Sequence, residues 1–216
     1  MDSSKLSPLQ LAFVNAFFGE PSGFFLTGGG ALAGFHLGHR TTDDLDLFSP
    51  PLEPMEHAVQ RLRRAVATLG ATVSAVQEAA EFRRFAVSTA HETTLVDLVI
   101  DRAPQLIADK EAVGAIRLDS MREIAANKIT ALLGRTAPRD LVDLFAIIAR
   151  GHTLEHALID ARVKDAAVDA GTLAWALSQW RLGPLTPLPH GTSLDDIERL
   201  RAQLIQQLLR LAVPID

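Results

Sequence analysis

Asp44-Leu45-Asp46 follows the glycine run Gly28-Gly29-Gly30 at a distance of about fourteen residues, and this pairing constrains the chain more than any other feature. In an extended segment, residues two apart point to the same side. A strand through Asp44, Leu45, Asp46 and Leu47 therefore aims both carboxylates at one spot and buries the leucines behind them. Two hard oxygen ligands side by side suit Mg²⁺ or Mn²⁺. Upstream, Thr27, Gly28, Gly29 and Gly30 follow the apolar Phe24-Phe25-Leu26, and the missing Cβ atoms let backbone N–H groups approach an anion closely. Phosphate beside metal is nucleotide chemistry. A solvated acidic turn, with Asp43 as a third member, is the plainer alternative. The alternation Leu45, Leu47, Phe48 favours the half-buried strand.

A chain of 216 residues is long enough for one large domain or two small ones, each with its own core. The formal net charge of −5 argues against a broad basic surface for wrapping nucleic acid, so any such contact must be local. Without cysteine there is no disulfide and no thiolate metal site. The polar start Met1-Asp2-Ser3-Ser4-Lys5 does not have the pattern of a signal peptide, and the richest apolar stretches are interrupted by Asn15, Asp97 and Asp101. A cytoplasmic protein without a membrane span is the expectation.

Ser7-Pro8 reads as an N-cap and first helical residue, opening a helix that closes at Gly19. Strands are expected over 24–27 and 44–48. A helix of about two turns over 31–38 would place the glycine turn at its N-terminus, where free N–H groups and the macrodipole favour phosphate. The spacing of Met55, Val59, Leu62, Val66 and Leu69 predicts a helix that stops at Gly70. Segments 71–77, 82–89 and 93–100 have the β-branched content of antiparallel neighbours. After Pro104 comes a variable stretch containing Asp109-Lys110-Glu111, and the character then turns helical, with a boundary near residue 118. Ser120-Met121-Arg122-Glu123 has the form of a capping box for a helix through Leu133. Further helices are expected over about 138–149, 153–163, 168–180 and 194–211.

Asp97 lies alone within Leu95-Val96-Asp97-Leu98-Val99-Ile100, and a buried carboxylate demands a partner. Either a metal ion or an arginine of the adjacent strand, Arg83 or Arg84, supplies it. Asp101 is a weaker candidate for the same role. His36 and His39 lack a nearby third ligand and read as helix-surface or helix-end groups. Lys128 sits in the apolar helix Ala125-Ala126-Asn127-Lys128-Ile129-Thr130-Ala131 and wants an anion, unless its stem merely snorkels over apolar surface. Asp140 and Asp143, three apart on one helical face, would either orient it by ion pairing or bring another polar group to the cleft. The glycine run by itself lacks the Gly-Lys-Ser/Thr ending of a P-loop.

These residues in this order resemble the nucleotidyltransferase superfamily with a polymerase-β-like palm, and more closely the AbiEii-type toxin family. The resemblance spans roughly residues 24 to 150. It is carried by Leu-Thr-Gly-Gly-Gly-Ala-Leu-Ala at 26–33, His-Leu-Gly-His-Arg-Thr-Thr-Asp-Asp-Leu-Asp-Leu-Phe at 36–48, and Asn-Lys-Ile-Thr-Ala-Leu-Leu-Gly-Arg-Thr-Ala-Pro-Arg-Asp-Leu-Val-Asp-Leu-Phe at 127–145. It implies an α+β fold, with a palm over 1–118 (mixed sheet with helices) and a helical domain over 119–216 that completes the active-site cleft. The implied activity is metal-dependent transfer of a nucleoside monophosphate from an NTP to an acceptor, with RNA (tRNA) the acceptor of several toxins and an antitoxin as a partner. By the same resemblance Asp44 and Asp46 match the metal pair, Asp97 the third strand carboxylate, and Lys128 with Asp143 the helical signature. Thr27 to Gly30, Lys128 and Arg139 would meet the nucleotide, Arg135 being a further helper. One position departs from the pattern. Gly30 stands where the family usually has Ser or Thr, so a weaker hold on phosphate or a substitute hydroxyl from Thr27 is expected.

Three other readings compete. Nucleotide-sugar glycosyltransferases also use Asp-x-Asp with a metal, but do not require the glycine turn or the Lys128 motif. A degenerate domain that binds nucleotide or protein without turnover is the non-enzymatic alternative, and a small-molecule (antibiotic) acceptor is the alternative within the enzyme class. If RNA is the acceptor, arginines must be concentrated locally; the candidates are Arg61, Arg63 and Arg64, Arg83 and Arg84, and Arg135 and Arg139.

Overall fold

β-branched and aromatic segments build a seven-stranded mixed sheet, and the computed structural model describes residues 5–212 of the chain. The polar start over residues 1–4 lies outside the described residues. In chain order the sheet consists of β1 (Phe25–Thr27), β2 (Asp44–Ser49), β3 (Thr72–Glu78), β4 (Phe82–Ser88), β5 (Thr93–Ile100), β6 (Glu111–Val113) and β7 (Ile116–Leu118). Its spatial order is β3-β4-β5-β2-β1-β7-β6. β3, β4 and β5 are antiparallel neighbours, as their short polar breaks require. β2 runs parallel to β5, and β1 parallel to β7, which makes the sheet mixed.

The chain divides into two compact units. The first holds the sheet and runs through Ala103, then resumes over Ile107–Ser120; the second comprises Pro104–Leu106 and the chain from Met121 onward. Within the first, α1 (Pro8–Phe17) opens on a complete capping box between Ser7 and Gln10 and buries Phe13, Val14 and Phe17. α3 (Met55–Thr68) covers the sheet with Ala58, Leu62 and Val66. Between them α2 (Gly28–Ala31) continues as a π-helical turn over Leu32–His36.

The glycine segment differs from the expectation of a turn preceding a helix. Gly28 to Gly30 are themselves the first helical turn, with Thr27 as N-cap, because Gly28 takes φ +58 and so starts the helix directly at the end of β1. The hairpin β6–β7 was expected only as a variable stretch. Its strands are three residues each, too short for a period-two pattern to be read, and β7 is fixed by pairing to β1.

The helical unit contains α4 (Met121–Gly134), α5 (Pro138–Ile148), α6 (Leu154–Lys164), α7 (Ala170–Ser178) and α8 (Leu194–Ala212). Ile124, Ile129, Leu132, Leu141, Leu144, Ile147, Leu173, Leu177, Ile197, Leu204 and Leu208 are completely buried. Glu123, expected to close a capping box, accepts the Leu106 N–H at 2.9 Å and the Lys164 ammonium. Among the described residues, no helix is long and apolar enough to cross a membrane.

Candidate active site

Strand register aligns the acids that the sequence separates. Thr27 on β1 lies opposite Asp46 on β2, Asp46 opposite Asp97 on β5, and Asp97 opposite Arg84 on β4. Directly opposed residues share a face, so a polar row crosses four strands of the sheet. Asp44 stands two residues from Asp46 on the same strand and hence on the same side. Leu45 and Leu47, which alternate with the acids, are completely buried and anchor β2 from behind.

Each acid has a distinct setting. Asp44 is buried and its Oδ1 accepts the Thr42 hydroxyl at 3.1 Å. Asp46 is half-buried and leans over the glycine turn: a Cβ added at Gly28 would come 2.2 Å from Asp46 Oδ2. Asp97 is buried, and its two oxygens accept Arg84 Nε at 2.7 Å and Nη2 at 2.6 Å. Of the two arginines considered, Arg84 is therefore the partner, and the pair lies beside Asp46 rather than away from it. Hydrogen bonding to Asp97, reinforced by the charges of Asp97, Asp44 and Asp46, holds the Arg84 guanidinium above its usual pKa. Asp101 lies just past the end of β5, where its carboxylate accepts the Ala103 N–H at 3.0 Å.

The glycines make room for their neighbours. A Cβ at Gly29 would come 2.9 Å from Thr42 Oγ1 and 3.0 Å from Arg40 Nη2, so a hydroxyl and a guanidinium stand directly over the turn. Gly30 is buried, and a Cβ there would meet Leu26 and Leu45 side chains at 3.2 Å. A Ser or Thr at this position would crowd two core leucines, which is a packing reason for glycine. The Thr27 hydroxyl donates to Asp119 Oδ2 at 2.7 Å and is thus committed within the protein. Lys110 Nζ lies 2.8 Å from Asp119 Oδ1 and 4.3 Å from the Phe25 ring centroid. His36 Nε2 lies 2.8 Å from the Asp119 carbonyl oxygen, a structural contact at a helix end.

The helical unit holds a second charge cluster. Lys128 on α4 is buried, its ammonium 2.7 Å from Asp140 Oδ1 and 2.8 Å from Asp143 Oδ2 on α5. Three-residue spacing puts both aspartates on one face of α5, and Arg135 reaches Asp140 Oδ2 at 2.7 Å. Burial works against the lysine's charge, yet Asp143 and Asp140 outweigh it and raise the pKa. Lys128 is thus ion-paired rather than snorkelling. Arg139, beside Asp140, is half-buried.

Several arginines considered for RNA are engaged in ion pairs. Arg61 pairs with Glu53 at 3.0 Å, Arg64 with Glu20 at 2.7 Å, Arg84 with Asp97 and Arg135 with Asp140. Arg61 is itself buried, which rules out an exposed three-arginine face on α3.

Arg40, Thr42, Arg84, Lys110 and Asp119 thus join the neighbourhood of the expected residues. Thr42 was legible in principle, since it stands two residues before Asp44 and continues the same-side spacing. Lys110 and Asp119 were not, because β7 and its pairing with β1 bring them to Thr27.

Carboxylate oxygens are the donor type a hard divalent cation takes, and two of the acids, Asp46 and Asp97, are register partners. Among the described residues, however, no three His, Asp or Glu side chains are grouped so that together they could hold a metal ion. Asp97 is turned to Arg84 with both oxygens.

The fold is shared with solved structures of low sequence identity. MenT4, a nucleotidyltransferase toxin from Mycobacterium tuberculosis, superposes with a TM-score of 0.68 at 12% identity, covering 95% of this chain and 83% of that one. JHP933 from Helicobacter pylori gives 0.55 at 20% identity, covering 95% and 94%. A further Helicobacter pylori structure gives 0.53 at 20% identity, covering 95% and 96%. No curated protein sequence matches this chain. The family model described as "Nucleotidyl transferase AbiEii toxin, Type IV TA system" matches residues 12–213, nearly the whole chain and both of its charge clusters, and the chain therefore belongs to the AbiEii family of nucleotidyltransferase toxins.

Proposed function

We propose that this nucleotidyltransferase moves a nucleoside monophosphate from an NTP to an RNA acceptor, using a divalent cation held by Asp44, Asp46 and Asp97. The alignment of Asp46 with Asp97 across β2 and β5, beside the glycine turn, carries the reading. Mg²⁺ or Mn²⁺ bound there would supply Lewis-acid stabilisation of charge on the phosphoryl oxygens. In the transfer, the acceptor hydroxyl oxygen forms a bond to the α-phosphorus, the bond from the α-phosphorus to the bridging oxygen breaks, and pyrophosphate leaves. Asp97, once free of Arg84, would also take the hydroxyl proton. The N–H groups of the Gly28–Gly30 turn would hold phosphate oxygens, with Arg40 and Thr42 standing over Gly29 in place of the hydroxyl that Gly30 lacks.

Lys128 and Asp143 complete the assignment made by family resemblance. The lysine is already held by Asp140 and Asp143, so binding triphosphate directly requires it to give up at least one of them. Steady-state kinetics of Lys128→Ala distinguish the roles: a direct phosphate contact raises KM for NTP, whereas a purely structural lysine changes stability with KM unchanged.

A small-molecule acceptor is the second reading, favoured by the pairing of Arg61, Arg64, Arg84 and Arg135 with acids, which leaves less cationic surface for RNA. Incubation with each labelled NTP, Mg²⁺ and total RNA, followed by size separation, tests the proposal. Labelled RNA at tRNA size whose yield falls as salt rises supports it. Label transferred only to small acceptors establishes the second reading, and no transfer to any acceptor supports a nucleotide- or protein-binding role. Membership of a Type IV toxin–antitoxin family also points to an antitoxin partner. Relief of growth arrest by a co-expressed neighbouring gene would test that.

A further inference from the structure

We propose that Arg84 is a positioning residue that serves Asp97 as an internal counter-ion and must be displaced before Asp97 can hold a divalent cation. The inference rests on the metal-site reading above and goes beyond it, since it names what occupies the third carboxylate beforehand and what sets the ion's affinity.

Four observations carry it. The pair is bidentate, with both Asp97 oxygens engaged at 2.6 and 2.7 Å, so a metal would compete with the guanidinium for the same two oxygens while the pair is closed. Asp97 is the register partner of Asp46, so the guanidinium competes for the same acidic cluster that a metal would neutralise. Arg84 also feels the charges of Asp44 and Asp46, as the upward displacement of its pKa reflects. Finally, the arginine does not depend on Asp97 alone. Its side chain is 31% exposed, and its guanidinium lies 5.7 Å from the Phe82 ring centroid, on the residue two positions earlier in the same strand. Asp97, with a side chain only 6% exposed, has little water to fall back on and needs one cation or the other. The exchange thus trades a monovalent internal partner for a divalent external one.

Mn²⁺ binding without nucleotide, followed by electron paramagnetic resonance of the free ion, tests the exchange in the full chain. Arg84→Gln removes the competing charge and retains much of the stem. It is expected to tighten Mn²⁺ binding by roughly ten- to a hundredfold, the scale of a charge-assisted pair. Its melting temperature should fall in chelator and recover with Mn²⁺ by more than the wild type gains. If Arg84→Gln does not fold, Arg84→Lys keeps a charge but loses the two-pronged geometry, and a smaller tightening is expected. Mn²⁺ affinity equal to or weaker than wild type in the folded variant overturns the proposal. Asp46→Asn serves as the control for the underlying reading. If Asp46→Asn binds Mn²⁺ as the wild type does, the metal site itself is wrong and the exchange falls with it. If Asp46→Asn loses Mn²⁺ while Arg84→Gln gains nothing, only the exchange fails.

Discussion

The two charge clusters of this protein are balanced differently. In the helical unit, Asp140 and Asp143 are matched by Lys128 and Arg135, and the aspartates are completely buried. In the sheet unit, Asp97 is paired with Arg84, Asp46 is its register partner and Asp44 stands on the same side of β2, and Asp46 is half-buried. A balanced, buried cluster satisfies itself and fixes how α4 meets α5. A carboxylate at a partly open position can exchange an internal partner for a cation from outside, whereas a fully buried one cannot do so without opening the fold. Both contain the residue types expected of a nucleotidyltransferase, but burial separates them: the aspartates of the helical cluster are completely enclosed, whereas Asp46 in the sheet cluster is partly open.

The sharpest way to break this contrast is Asp46→Ala. Transfer of labelled nucleotide is expected to fall by roughly a thousandfold or more, equivalent to several kcal/mol of transition-state stabilisation. Circular dichroism and thermal melting should remain close to wild type, because removing one of several like charges relieves repulsion. Unchanged turnover would sink the assignment of the sheet cluster as catalytic.

Lys128→Met examines the other side of the comparison. Two buried carboxylates lose their nearest cation, and unfolding in urea should show a loss of about 3–5 kcal/mol. Adding Asp140→Asn and Asp143→Asn to the same chain should restore part of it. A full-stability Lys128→Met protein would show that the helical cluster is not the closed structural pair described here.

The pH dependence sharpens the same point. Because the folded-state pKa of Lys128 is raised, its stabilising contribution is complete below the ordinary lysine value of about 10.4 and is lost as pH rises through the higher folded value. Urea unfolding of the wild type should therefore show no lysine-linked loss between neutral pH and about 10, with a decline only in stronger alkali. Lys128→Met should lack that decline, and an identical alkaline limb in both proteins would assign it elsewhere.

A smaller effect is expected at Gly28. Alanine there meets both the left-handed φ of +58 and the Asp46 carboxylate at 2.2 Å, so the acid must turn away. Stability should drop by about 1–3 kcal/mol, the range for a strained backbone position, with a measurable loss of Mn²⁺ affinity. Arg135→Ala should do least. Its side chain is 55% exposed and Lys128 still holds Asp140, so a loss under about 1 kcal/mol is expected in the same urea assay.

Local sequence determined much of this protein. The capping box at Ser7, the helical spacing from Met55 to Val66, the three antiparallel strands and the same-side acids of β2 all follow from interactions within a few residues. The same-side placement of Asp44 and Asp46 was legible because it follows from their two-residue spacing on one strand. Tertiary structure decided what each charge faces. That Asp97 takes Arg84 depends on the register of β4 against β5, and that Thr27 takes Asp119 depends on β7 pairing parallel with β1. Lys128 needed α5 beside α4 before its two aspartates could be distinguished from open solvent. The physical reason is common to all three: propensity and periodicity act over a few residues, whereas the partner of a buried charge is chosen by strand register and helix packing between segments far apart in the chain.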